Sequence, residues 1–269
     1  MQKGNEILQG KTSLLNTKFS NMDKAELLSA VIEHAKRRER ANLIFVNVDV
    51  IMKMEKDDYL RQISEEAEYV LADGMPIVWI SKLKGRTLKE KVSGSDFLPL
   101  LCEQAAKEHL RLFFVGGREG VAAKAAMRLA DKYKGLEITG TYAPPFGFEK
   151  KPDEIAKMNQ IIRESNSDIL VVCLGCPKQE KYVYENQEKY QIPVSVCAGA
   201  AIDFLAGNIK RCPSWMSRYG LEWFYRFLQE PGRLFKRYFI DDMQIIRLIF
   251  KYRDRKLLFL WKRLAAERR

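Results

Sequence analysis

The chain is poor in the residues that most often carry enzyme chemistry. Its 269 residues include two histidines, His34 and His109, both in charged, helix-like text. General-base work therefore falls to a carboxylate. Five cysteines are an odd number, set mostly in apolar stretches, which reads as reduced thiols rather than a disulfide framework. Cys173 and Cys176 form a single C-x-x-C. With no second pair and no histidine at ligand spacing, the expected arrangement is a strand thiol followed by a turn thiol, and no metal site is expected. The longest apolar run, Ile169 to Cys176, is far short of the roughly 18 residues of a membrane-spanning helix. The start, Met1-Gln2-Lys3-Gly4-Asn5, leads into polar sequence without the apolar core of a signal peptide, so a cytoplasmic location is expected. Walker, H-E-x-x-H and G-x-S-x-G motifs are missing as well, which withdraws support from nucleotide-triphosphatase, zinc-protease and serine-hydrolase chemistry.

What is present is a soluble, globular composition, 46% hydrophobic and 30% charged, with a net charge of +11. The charge is unevenly placed. After Gly207 there are sixteen Lys and Arg against six Asp and Glu, and thirteen aromatics are interleaved with them. Residues 1–207 are almost balanced. The chain is thus expected to divide into a charge-balanced domain, 1–207, and a basic, aromatic-rich appendage, 208–269.

Within the first part, strand-like text recurs at Leu43–Val48, Tyr69–Leu71, Arg111–Val115, Leu136–Thr139, Ile169–Leu174 and Val194–Cys197. Helical periodicity fills the gaps between most of them, and an earlier helix, Lys24–Arg40, is capped by Asn21 or Asp23. Such alternation predicts a Rossmann-like α/β fold, a mainly parallel sheet with helices on both faces. Ligands bind beyond the carboxyl ends of the strands in this architecture. The residues found there are Asn47 and Asp49, Asp73-Gly74, Gly116-Gly117, Tyr142–Gly147, Gly175 and Ala198-Gly199-Ala200. Gly116-Gly117-Arg118-Glu119-Gly120 is a candidate phosphate turn, balanced against a plain tight turn because it lacks G-x-G-x-x-G spacing. Asp73, between an apolar strand and Pro76, is the best-placed candidate base, although its local setting alone points first to a turn or cap residue. No D-x-D diphosphate-metal motif stands at a strand end, so metal-independent chemistry is expected.

Several motifs then stand in one order: Leu71-Ala72-Asp73-Gly74-Met75-Pro76, Val92-Ser93-Gly94-Ser95-Asp96, Leu174–Glu180, Ala198–Gly207, Arg211-Cys212-Pro213, Leu221-Glu222-Trp223, Glu230–Leu234 and Lys236-Arg237-Tyr238. This succession resembles the WecG/TagA/CpsF family of glycosyltransferases over roughly Leu43 to Tyr238. The resemblance implies inverting transfer of a sugar, N-acetylmannosamine or a related hexose, from a UDP-sugar to a polyprenyl-diphosphate-linked acceptor. That chemistry serves cell-wall or surface-polysaccharide synthesis at the inner face of the cell membrane. It makes Asp73 the catalytic base and gives Asn47 and Gln179 to substrate. Lys91, Gly116, Gly117, Gly175 and Asp203 join them as substrate-binding candidates. Two positions depart from the family's usual pattern: Lys91 stands where Arg is common, and Phe45 where Thr is common. Under the same resemblance the tail becomes a docking element for an anionic membrane surface, with Arg211, Arg233 and Arg237 closing over the diphosphates. A homo-oligomer is compatible with the apolar stripes.

Two other classes fit parts of the chain. A nicotinamide-dependent oxidoreductase requires G-x-G-x-x-G after the first strand, where Asn47-Val48-Asp49 stands instead. A nucleic-acid-binding protein would use the basic, aromatic tail, but no reading motif accompanies it.

Overall fold

Eight strands and twelve α-helices organise the described residues, which in this computed structural model are 10–213, 216 and 220–252. A short antiparallel hairpin opens them, β1 (Lys11–Leu14) with β2 (Thr17–Ser20), and it buries Leu14 and Phe19. The hairpin was not legible in the sequence because four residues are too few to establish a period of two. Helix α1 (Lys24–Arg37) starts at Asp23, whose carboxylate accepts from the Ala25 and Glu26 N–H groups while the Glu26 side chain returns to the Asp23 N–H, a reciprocal capping box.

Six parallel strands follow: β3 (Ala41–Val46), β4 (Tyr69–Ala72), β5 (Arg111–Gly116), β6 (Glu137–Tyr142), β7 (Ile169–Cys173) and β8 (Val194–Cys197). Their order in the sheet is β4-β3-β8-β7-β5-β6. Every residue of β3, β4, β7 and β8 is buried, as a parallel sheet covered on both faces requires. On β3 the alternation assigns the faces directly. Leu43 and Phe45 join the core with α1, α5 (Gly94–Lys107), α6 (Val121–Lys132) and α9 (Ala201–Leu205). Ile44 and Val46 join the opposite core with α2 (Val48–Met54), α3 (Asp58–Glu66) and α4 (Met75–Leu83). Helices α7 (Pro152–Glu164) and α8 (Lys178–Tyr190) cover that second face beneath β5 and β7. The expected Rossmann-like α/β class is observed.

The first strand ends two residues earlier than its apolar text. Asn47 takes an extended conformation and its side-chain oxygen accepts from the Val50 N–H at 3.1 Å, so Val48 begins α2 instead of ending β3. A side-chain cap therefore overrides the β-propensity of Val48 and Val50 and swings the chain out of the sheet at Asn47.

Beyond Gly207 the chain returns across the carboxyl ends of β3 and β4. It forms α10 (Glu222–Gln229), α11 (Pro231–Lys236), a π-helical turn (Arg237–Asp241), a 3-10 turn (Asp242–Gln244) and α12 (Ile245–Lys251). Leu248 is buried in the core of α2 to α4, with Ile245 and Ile249 packed against it. No helix of the described residues is long and apolar enough to cross a membrane. Of the tail's interleaved aromatics, Trp215, Tyr219 and all those after Tyr252 lie outside the described residues.

Candidate active site

Because β3 and β4 are adjacent and parallel, with Val46 opposite Ala72, their next residues emerge side by side. The Asp73 N–H donates to the Val46 carbonyl at 2.8 Å, and the Val92 N–H donates to the Ala72 carbonyl at 2.9 Å, which brings Lys91 alongside. Asn47, Asp73 and Lys91 thus form one wall of a cavity of about 310 Å³, and the tail supplies the other through Glu222, Arg226, Arg237 and Asp242.

The turn after β4 keeps the carboxylate of Asp73 unspent. Gly74 caps α4 at φ +132°, a conformation that L side chains rarely adopt, and offers no side chain to the helix. Pro76 in the first turn lacks the N–H that a cap would otherwise satisfy. No described residue donates a hydrogen bond to the Asp73 carboxylate, which keeps part of its surface open to the cavity. Burial pushes its pKa up to about 6, and Glu222 adds to the rise against the opposing pull of Arg226 and Lys91. A carboxyl group with these properties can accept a proton near neutral pH.

The cations around it are themselves held. Lys91 Nζ lies 2.9 Å from Asp96 and 3.4 Å from Glu222. Burial works against its charge, but the Asp96, Glu222 and Asp73 carboxylates together outweigh burial and raise its pKa. Asp96 also accepts from Ser93 Oγ at 2.7 Å and from Arg211 at 2.9 Å. Burial would raise its pKa, yet these partners bring it below the usual carboxylate value. On the far side, Arg237 lies 3.7 Å from Asp49 and 3.9 Å from Asp242. Those distances are long for hydrogen bonds, and Arg237 Nε and Asp242 Oδ1 are buried without one. Burial takes the Asp242 carboxyl up to about 6 although Arg237 opposes it.

The residues singled out in the sequence fall into two groups. Asn47, Asp73, Lys91 and Arg237 meet in the cavity, and Arg211 is tied to it through Asp96. Arg233 lies in α11, but its side chain is outside the described residues. Gly116, Gly117, Gly175, Asp203 and Gln179 gather instead around the carboxyl ends of β5, β7 and β8. Gly116, at φ +108°, would place a Cβ 2.3 Å from the Cys173 carbonyl oxygen, so close backbone approach demands glycine there. The Gly117 N–H donates to that same carbonyl at 3.1 Å, and a Cβ at Gly117 would meet Val121 at 3.2 Å and Ile202, next to Asp203, at 3.5 Å. Its amide is therefore used by the fold. Gln179 is buried and spends its whole amide internally: Oε1 accepts from the Gly199 N–H at 3.0 Å, and Nε2 donates to Glu180 at 2.8 Å and to the Cys197 carbonyl at 3.3 Å. In this arrangement Gln179 shapes the turn after β8 rather than presenting a free amide.

Glu222, Arg226 and Asp242 were given no role on sequence grounds. Leu221-Glu222-Trp223 had been noted as a motif, and the pair Asp241-Asp242 is the acidic exception in a basic segment, a signal that could have marked it. All five cysteines are free; Cys173 ends β7 and Cys176 lies in the turn after it. Burial lifts the Cys173 thiol to about 12, which makes it unreactive. Among the described residues no three His, Cys, Asp or Glu side chains are grouped to hold a metal ion.

The sequence matches the model of the Glycosyl transferase WecG/TagA/CpsF family over residues 12–257. The chain belongs to this family. Two relatives are N-acetylglucosaminyldiphosphoundecaprenol N-acetyl-beta-D-mannosaminyltransferases. The one from Bacillus spizizenii (strain ATCC 23059 / NRRL B-14472 / W23) is 31% identical over 193 residues, covering 72% of this chain and 73% of the relative. The one from Bacillus subtilis (strain 168) is 31% identical over 188 residues, 70% of this chain and 71% of the relative. The stretch matched to the WecG/TagA/CpsF family includes the sheet wall and the tail wall of the cavity alike.

Proposed function

We propose that this glycosyltransferase moves an N-acetylhexosamine, N-acetylmannosamine being the first candidate, from a UDP-sugar to an N-acetylglucosamine carried on a polyprenyl diphosphate. The reaction inverts the anomeric configuration. The observation that carries the reading is Asp73: a carboxylate at a strand end, unspent on any hydrogen bond, open to the cavity and raised to about 6. In this scheme the acceptor hydroxyl attacks the anomeric carbon, Asp73 takes its proton, and UDP leaves with the bonding electron pair. Lys91, Arg226 and Arg237 face the same cavity and supply positive charge for the leaving diphosphate. Asn47 spends its oxygen on the α2 cap, which leaves its NH₂ group for a sugar or phosphate oxygen. With fixed cations in these places the transfer is proposed to be independent of a metal ion.

Residues 1–207 form the catalytic unit in this reading, and residues 208–269 complete the cavity and rest on the inner face of the cell membrane. The relatives' names, which specify an undecaprenyl-diphosphate-linked acceptor and an N-acetylmannosaminyl group, support the same acceptor and transferred sugar. The test is a panel of UDP-sugars offered with polyprenyl-diphosphate-N-acetylglucosamine and scored by UDP release and product mass. Transfer from UDP-N-acetylmannosamine, undiminished by a chelator, is the expected result. Loss with chelator and recovery with Mg²⁺ or Mn²⁺ overturns the metal-independent scheme, and no transfer from any UDP-sugar overturns the reaction class.

A further inference from the structure

A cation on the base's own wall is held by other carboxylates. Lys91 has two short partners, Asp96 at 2.9 Å and Glu222 at 3.4 Å, and makes no hydrogen bond to Asp73 on the same cavity wall. The two partners differ in origin. Asp96 lies in the first turn of α5 and is anchored by Ser93 Oγ and Arg211. Glu222 is the first residue of α10 and arrives only with the tail.

We infer that Glu222 is a positioning residue for the base: by holding Lys91 and by setting a negative charge on the tail side of the cavity, it keeps the Asp73 carboxylate unpaired, so that docking of α10 completes the proton acceptor. This rests on the reading of Asp73 as the base. A lysine ammonium is a point charge on a flexible four-carbon stem, able to change partners within a few ångströms. With Glu222 neutral, Lys91 loses one of two carboxylates and Asp73 becomes the next carboxylate on its wall. Removal of a like charge and arrival of an opposite one both favour the ionised form of Asp73 and weaken it as a base.

The other charges facing Asp73 do not cancel this effect. Arg226, one turn along α10 from Glu222, opposes it, but its guanidinium is also drawn over the Phe204 ring, 4.8 Å from the centroid. Asp96 acts in the same direction as Glu222 and stays in place in either case. Arg237 and Asp242 share the cavity and offset one another. Consistently, Glu222 is the strongest charge raising Asp73 toward its value of about 6, after burial itself.

The experiment uses the full chain with Glu222→Gln, Glu222→Asp and Lys91→Gln. The Asp73 carboxyl is titrated by ¹³C NMR, with its signal assigned by its loss in Asp73→Asn, and the acid limb of kcat/KM against pH is recorded in parallel. In Glu222→Gln both are expected to move down together by roughly half to one pH unit, with turnover at neutral pH lowered about threefold. Glu222→Asp should return both toward the wild-type position. Lys91→Gln, which keeps the Glu222 charge on α10 and removes an opposing one, should move the Asp73 titration up. An unmoved titration in folded Glu222→Gln, or in Lys91→Gln, overturns the inference and leaves Glu222 as an anchor of α10. Near-normal turnover in Asp73→Asn is a different failure: it removes the base itself, whatever the NMR titration does.

Discussion

In the proposed reaction Asp73 has opposite effects on catalysis and on stability. Asp73→Asn is expected to lower turnover by about a hundredfold or more while the protein stays folded and binds UDP. In the wild type the rate should climb as pH rises through about 6, where the base loses its proton. The stability consequence has the reverse sign. A carboxyl whose folded pKa is raised binds more protons folded than unfolded, so its contribution to stability falls as pH rises from its ordinary value of 3.8 to about 6. Asp73→Asn should therefore raise Tm at pH 7.5 and lose that advantage below about pH 4; calorimetry at both pH values checks it, and an equal Tm gap at both would contradict the burial of this charge. Gly116 gives a structural contrast. A methyl group there meets the Cys173 backbone at φ +108°, so Gly116→Ala should cost on the order of 3 kcal/mol in chemical denaturation. Asp73 and Asn47 were legible because a strand-to-helix turn advertises itself locally, whereas Lys91, between two helices, was reached only through the family resemblance. Glu222 and Asp242 were not legible, because only long-range packing of the tail decides what they face.

At the scale of elements, the clearest sequence signals were the apolar strands, placed within two residues for β3, β4, β5, β7 and β8, whereas α1 ends at Arg37, three residues before the expected Arg40, and β6 runs three residues past Thr139. The misses were short. The β1–β2 hairpin has four-residue strands, and α2 begins inside apolar text because of one asparagine cap. Nothing in the sequence showed how the tail is fastened. Glu55, at the C-terminal end of α2, accepts from Lys251, from Tyr252 at 3.0 Å and from Asn16 at 3.1 Å. Lys84 donates to the Ile249 and Tyr252 carbonyls at 3.1 and 2.7 Å, satisfying the C-terminal end of α12. Burial alone would raise the Glu55 pKa, but these donors bring it below its ordinary value of 4.5. The stabilisation is therefore present above about pH 4.5 and fades as acid takes the pH down through the lowered folded value. Glu55→Ala should speed hydrogen exchange in α12 at neutral pH while the strands keep their protection. Unchanged exchange in residues 245–251 would show that Leu248 and its neighbours hold the helix without the clasp.

For the whole molecule, the tail turns Glu222, Arg226, Arg237 and Asp242 inward to the cavity, keeps Lys236, Arg247 and Lys251 exposed, and leaves large apolar side chains outside. Trp223, Phe224, Phe239 and Ile246 are exposed, and Leu228, Phe235 and Phe250 more so, at 60%, 55% and 65%. Aromatic contacts knit this surface together: Trp223 with Tyr238, and Phe239 with both Phe227 and Phe235, all with centroids 5.2–5.9 Å apart. An exposed apolar surface of this kind on a chain of net charge +11 suits an anionic membrane, where buried apolar area and about 1 kcal/mol per nearby Lys or Arg act together. The two contributions separate experimentally. High salt screens the charge within about 10 Å at moderate ionic strength, so it should weaken but not abolish sedimentation with vesicles containing anionic lipid. Leu228→Glu, Phe235→Glu and Phe250→Glu combined should abolish it, since each replaces apolar contact by a repelled charge. None of the three lines the cavity, so transfer to a short-chain, water-soluble acceptor should persist at near wild-type rate. Arg237→Ala should do the converse, because one charge barely changes adhesion whereas a missing contact to the leaving diphosphate is felt in the transition state. A triple-glutamate variant that still sediments with the vesicles would assign this face to contacts between protein chains, and equal losses of binding and transfer in Arg237→Ala would place that guanidinium on the membrane instead of in the site.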